Sequence, residues 1–142
     1  MGSLADIRAG IAANLATVLD GVGGGQVSAY VLNNPTLPVI WVRLDPSEGI
    51  EYHRAMRDGV EFWTMRVEAY VGAVSDIGAQ KNLDLLLESS GATSVKAAIE
   101  SDLTLGGAAQ KVRVERCAGY QEYGRPDGTS ALGSDWTVVV YP

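Results

Sequence analysis

The chain is 142 residues long, with a net charge of −6, one cysteine and one histidine. That length is one domain by default (residues 1–142) and buries about 68% of the surface of the unfolded chain, so folding requires neither disulfide nor metal. The acidic balance excludes a protein whose main task is to coat nucleic acid. A lone Cys117 excludes an internal disulfide or a cysteine cluster, and the apolar runs fall far short of the ~20 residues that cross a bilayer.

Ser3 reads as an N-cap, with Asp6 three residues later in a weak capping box. Leu4, Ile7, Ile11, Leu15, Val18 and Leu19 recur at spacings of three and four and predict one amphipathic helix, ended by a left-handed Gly21. Gly23, Gly24 and Gly25 follow as a connector. Val27, Ala29 and Val31 alternate with Gln26, Ser28 and Tyr30 and predict a strand, which Asn33, Asn34 and Pro35 turn. The β-branched and aromatic run 39–44 predicts a second strand. Residues 46–58 lose the period and read as a loop or hairpin arm.

The third strand, 60–71, has the plainest alternation. Trp63, Met65, Val67, Ala69 and Val71 share one face, and Phe62, Thr64, Arg66, Glu68 and Tyr70 share the other. Its length of ~40 Å is twice that of a usual strand, which predicts a bulge or an end that projects from the body. Ser75 reads as the N-cap of a second helix with Ile77, Leu83, Leu86 and Leu87 inward and Gly91 as its stop. Ser94 caps a short third helix with Val95, Ala98 and Ile99 inward, and Gly106 and Gly107 end the helical region. Val112, Val114 and Arg116 share a face of the fourth strand. Residues 124–133 form a loop around a strong turn signal, and Trp136, Val138 and Val140 alternate in the last strand. The expected fold is α+β: a mostly antiparallel five-stranded sheet packed by an N-terminal helix and two central helices, in the order α-β-β-β-α-α-β-β. At least two of Trp41, Trp63 and Trp136 are expected in the core.

Catalytic patterns are not found. His53 lies in the 46–58 loop without a positioned nucleophile or orienting group, and reads as a solvent-exposed loop residue rather than a general base. The glycines at 21–25 follow a helix and precede a strand, the reverse of the order that places phosphate on a helix N-terminus. The pairs Glu48 with Glu51, and Glu122 with Asp127, lack a cation-binding framework. Cys117 reads as a small packing residue. No cofactor, metal or catalytic residue is expected. Two stretches suggest surfaces instead. Ile50, Tyr52 and Met56 stand among Arg54 and Arg57, a mixture that interfaces favour and that an ordinary loop also carries. Lys111, Arg113 and Arg116 form a basic stretch on the fourth strand.

The order of the leucine-rich helix at 83–87, the short helix behind Ser94, Leu105 with Gly106 and Gly107, Tyr120, and the closing Trp136, Thr137 and Val138 resembles the tail terminator proteins of long-tailed bacteriophages, especially those of actinobacterial hosts. The resemblance is densest over 60–141 and consists of order and texture, not of a catalytic motif. It implies a non-enzymatic virion protein at the tail–neck junction, assembled in the host cytoplasm. Copies would close into a hexameric ring on the head-proximal end of the tail tube, stop tube polymerisation and offer a docking face for the head connector. The implied partners are further copies of the chain, the major tail tube protein, a head–tail connector or stopper protein and the tape measure protein. DNA would only pass through the lumen, and no membrane is involved. The expected contacts come from the 46–58 loop (Ile50, Tyr52, Arg54, Met56, Arg57), the third strand (Arg66, Glu68, Tyr70) and the last strand (Thr137, Val139, Tyr141), with unpaired strand edges inviting strand addition between neighbours. Another neck ring protein, or a small-ligand-binding α+β domain, is the alternative.

Overall fold

Ser3 begins the first helix as expected. Its hydroxyl accepts the Asp6 N–H while the Asp6 carboxylate accepts the Ser3 N–H, a reciprocal capping box. The computed structural model describes residues 3–32, 36–47, 50–52, 60–73, 76–124 and 130–141. Helix α1 runs over Leu4–Asn14 and buries Ile7 and Ile11. The single long helix expected there is split: the chain tightens after Leu15 into a 3-10 turn, Val18–Val22, which buries Val18, Leu19 and Val22. Gly23, not Gly21, supplies the left-handed residue that closes it, at φ 92°.

Seven strands follow in one sheet: β1 (Gln26–Ser28), β2 (Val39–Leu44), β3 (Ile50–Tyr52), β4 (Val60–Gly72), β5 (Lys111–Cys117), β6 (Gln121–Gly124) and β7 (Ser130–Tyr141). Between β4 and β5 lie α2 (Ile77–Leu86) and α3 (Val95–Ile99). The class is α+β, with three α-helices and a mixed sheet. Two short strands, β3 and β6, add to the five expected, and β1 pairs with β2 in parallel. The order β1-β2-β4-β7-β5 puts the two longest strands in the middle. β3 pairs with β4 on the side opposite β7, so it continues the rank of β2. In the same way β6 pairs with β7 on the side opposite β4 and continues the rank of β5.

One face of this sheet carries the core. Trp63, Met65, Val67, Ala69 and Val71 of β4 meet Ile40 and Val42 of β2 and Trp136, Val138 and Val140 of β7, all buried in one cluster with α1, α2 and α3. Two of the three tryptophans enter it; Trp41 lies on the opposite face. Asp76, not Ser75, is the N-cap of α2: its carboxylate accepts the Gly78 N–H at 2.8 Å, while Ser75 lies outside the described residues. Helix α2 turns Ala79, Leu83 and Leu86 inward, and each buried leucine contributes roughly 1.5–3 kcal/mol. Ile77, expected inward, is 67% exposed. Ser94 caps α3 through the Ala97 N–H, with Val95 and Ile99 buried. The expected bulge in the third strand exists, as a register shift between Tyr70 and Gly72 against β7. A second shift between Val114 and Arg116 turns Arg116 away from the face of Val112 and Val114.

Close approach dictates glycine at several positions, Gly10 and Gly133 among them. On Gly10 of α1 a Cβ would stand 2.7 Å from the Leu105 Cβ and 2.8 Å from the Leu105 carbonyl oxygen. On Gly133 of β7 a Cβ would run into the Ala69 carbonyl and lie 3.0 Å from the Tyr70 ring. Both obstacles include backbone, which cannot swing aside. Gly133→Ala is therefore expected to cost about 3 kcal/mol or more and Gly10→Ala about 1–3 kcal/mol, read from urea midpoints at unchanged m-value.

Candidate interaction surface

The face of the sheet opposite the helices follows from strand parity. Residues that alternate with the core residues of β2, β4, β7 and β5 point to it, and register arranges them in transverse levels. Val39, Tyr70 and Gly133 form one level, and Trp41, Glu68 and Asp135 the next. Arg43, Arg66, Thr137 and Arg116 follow, then Thr64, Val139 and Arg113, then Phe62, opposite Glu51 of β3, while Lys111 is opposite Tyr141.

Its first two levels are an aromatic and carboxylate network. The Trp41 indole N–H donates to Glu68 Oε1 at 2.7 Å, and the Tyr70 hydroxyl donates to the same oxygen at 3.3 Å. Tyr123 of β6 reaches Asp135 Oδ2 at 2.9 Å. The Tyr70 ring packs edge-on against both Trp41 (5.0 Å) and Tyr123 (4.8 Å). It occupies the space that Gly133 leaves open. Burial, then the Glu68 charge, hold the Tyr70 phenol well above its ordinary pKa; burial, then the hydrogen bond to Asp135, do the same for Tyr123.

The third level brings like charges together. Arg43 and Arg66 are direct cross-strand neighbours, an arrangement that is unfavourable unless anions intervene. Glu68 stands 3.7 Å from Arg43, and the buried Asp45 stands 3.6 Å from Arg66. Arg116 is exposed and makes no ion pair among the described residues. Two buried polar atoms here, Arg66 Nε and Thr64 Oγ1, have no hydrogen-bond partner among the described residues. Unsatisfied buried groups cost about 1–3 kcal/mol each, and both lie on this face at adjacent levels.

Six of the residues expected at subunit contacts, Arg66, Glu68, Tyr70, Thr137, Val139 and Tyr141, are brought onto this one face. Glu68 and Val139 are themselves buried, as are Val39, Trp41 and Thr64 on the same face. Ile50 is not on it: it pairs opposite Trp63 and packs half-buried against the core. The backbone of Tyr52 pairs with Val60, and Arg54, Met56, Arg57 and His53 lie outside the described residues. Trp41, Arg43, Tyr123 and Asp135 belong to the surface but were not singled out by sequence. Their signal was alternation combined with register, and register is not written in a single strand.

The expectation of open edges on long strands is corrected by the topology. β4 and β7 are paired on both sides, and the edges fall to short or interrupted strands. Each edge is also capped from the helical layer. Arg8 of α1 donates to the carbonyls of Val42 (2.9 Å) and Ala29 (3.3 Å), with its guanidinium 4.9 Å from the Tyr30 ring centroid. At the other edge Glu100, behind α3, accepts the Val114 N–H of β5 at 3.0 Å and the Lys96 ammonium at 2.6 Å. Burial alone would raise the Glu100 pKa, but the bonds from Lys96 and Val114 outweigh it and hold the carboxyl below its ordinary value. Charged caps of this kind blunt strand addition.

Elsewhere, a cleft of about 490 Å³ opens between α1 and the 105–108 segment, lined by Asp6, Ala9, Gly10 and glycines. It is wide, and the Asp6 carboxylate is already engaged by the helix cap. Cys117, expected to pack, is exposed, with its sulfur 3.2 Å from Ser134 Oγ. Among the described residues no three His, Cys, Asp or Glu side chains are grouped to hold a metal, and no helix is long and apolar enough to cross a membrane. Comparison with protein-family models and with curated proteins finds no match to the chain.

Two outcomes are expected from this geometry. Glu68→Ala strands the Trp41 N–H and is expected to cost about 1–3 kcal/mol in chemical denaturation, whereas Glu68→Gln keeps an acceptor and costs less. Because the folded Tyr70 and Tyr123 pKa values are raised, their stability contribution is fully present below the ordinary phenol pKa of ~10 and is lost as pH rises above it. A Tyr70→Phe, Tyr123→Phe variant should show a shallower alkaline decline in stability than the parent.

Proposed function

We propose that this chain is a ring-forming structural subunit of the tail terminator kind, closing as a hexamer on the head-proximal end of a phage tail tube. There it would end tube polymerisation and present a docking face to the head connector, as part of the virion. The observation that carries this reading is the one-sided layering. Helices cover one face of the sheet, and the other carries arginines, aromatic rings and two buried polar atoms that find no hydrogen-bond partner among the described residues. A two-layer unit with a second, chemically prepared sheet face has a surface to give to a partner. Counted by ranks, with β3 extending β2 and β6 extending β5, the sheet is five strands wide and antiparallel at every junction but one. Contacts through the sheet face replace the edge-to-edge addition that the sequence suggested. The ligand-binding alternative gains nothing from the α1 cleft, whose lining among the described residues offers one charged side chain, Asp6, already engaged by the helix cap.

The test is direct. Purified protein added to polymerising tail tubes should appear by electron microscopy as a ring at one tube end and should hold tube length constant. Binding to filled heads but not to tails, or to neither, sinks the tail-terminator reading.

A further inference from the structure

Resting on the ring-subunit reading, we infer that the next copy of this chain lays the outer face of α2 on the basic side of the helix-free sheet face, along β7 and β5. The two surfaces are complementary in charge. On the sheet side Lys111, Arg113 and Arg116 are exposed on β5, flanked by Thr137 and Tyr141 of β7; Arg113 is held by Glu115 at 2.8 Å, leaving Lys111 and Arg116 without an ion pair among the described residues. On the helix side the exposed acids are Asp76 at the N-cap, where it holds the Gly78 N–H, Asp84, which accepts the Tyr120 hydroxyl, and Glu88 just past the C-cap Leu87, beside one exposed base of α2, Lys81. This acidic strip also carries apolar side chains that the protomer does not cover: Ile77 is 67% exposed and Leu85 41%.

Placement decides the type of contact. Ala79, Leu83 and Leu86 seat α2 on the core face of β4 and β7, so its outer strip looks away from the opposite sheet face of the same subunit. A surface that meets its complement on the far side of an identical copy is heterologous, head to tail. Such a contact closes into a ring when its rotation permits. It also gives the sheet a second helical layer, the arrangement that buries both faces of a sheet. A sheet-to-sheet contact would instead set the arginine level of one copy against that of another, with like charges opposed.

Sedimentation velocity of the full chain over a range of concentrations and salt tests this. Wild-type self-association should weaken with rising salt. The sheet reversal Lys111→Glu with Arg116→Glu should weaken it by at least about tenfold, and so should the helix-side reversal Glu88→Arg with Ser89→Arg, two exposed positions directly after the α2 C-cap, because each opposes like charges across the junction. Joining all four substitutions in one chain should restore association, and so should mixing the two reversed proteins. All substituted positions are exposed, and circular dichroism should match the parent. Self-association that ignores the helix reversal, or that is unchanged by salt, overturns this contact while leaving a ring possible through another surface. A chain that stays monomeric at every concentration and also fails to ring tail tubes overturns the contact and the functional reading together.

Discussion

The antiparallel pairing of β4 with β7 is the constraint from which the other features follow. It runs from Trp63 opposite Val140 to Gly72 opposite Leu132 and joins segments separated by both central helices. Once it forms, parity puts the apolar half of each strand on one side and the arginine, tyrosine and carboxylate half on the other. The helices then have one face to pack on. Tyr70 finds room over Gly133 only in this register, since a one-residue slip would exchange the two faces. The prepared outer surface is thus a by-product of the same pairing that builds the core.

Local patterns in the sequence were enough for the class of fold and for the inward faces. The capping box at Ser3, the alternation over 62–71 and the cap at Ser94 all appear where the residues predict them. The differences arise where tertiary context outweighs local signal. The apolar spacing continues through Leu15 to Leu19, but the chain there tightens to bring Val18 and Val22 inward. Ile77 looked like a core residue by spacing, yet the burial of Ala79, Leu83 and Leu86 fixes the rotation of α2 and leaves Ile77 outside. β3 and β6 are too short to announce themselves; each exists because a long neighbour offers an unpaired stretch.

The surface was half legible for the same reason. Alternation named Arg66, Glu68 and Tyr70 together, because they share a strand. It did not name Trp41 or Asp135, which join them only through pairing. Nor did it show that the long strands lie at the centre. Length suggested reach and free edges, whereas the longest strands of a sheet bury most and so are driven inward. The edges go to short segments, where one guanidinium or one carboxylate suffices as a guard.

That guard has a consequence for synthesis. Arg8 holds carbonyls 21 and 34 residues downstream, so on a ribosome the group that protects the β2 border leaves the exit tunnel before the border itself exists. The nascent chain therefore carries its own stopper ahead of the segment most able to recruit a stray strand from a neighbouring polysome. Vectorial emergence in this order keeps stray strand pairing in check until the later half arrives.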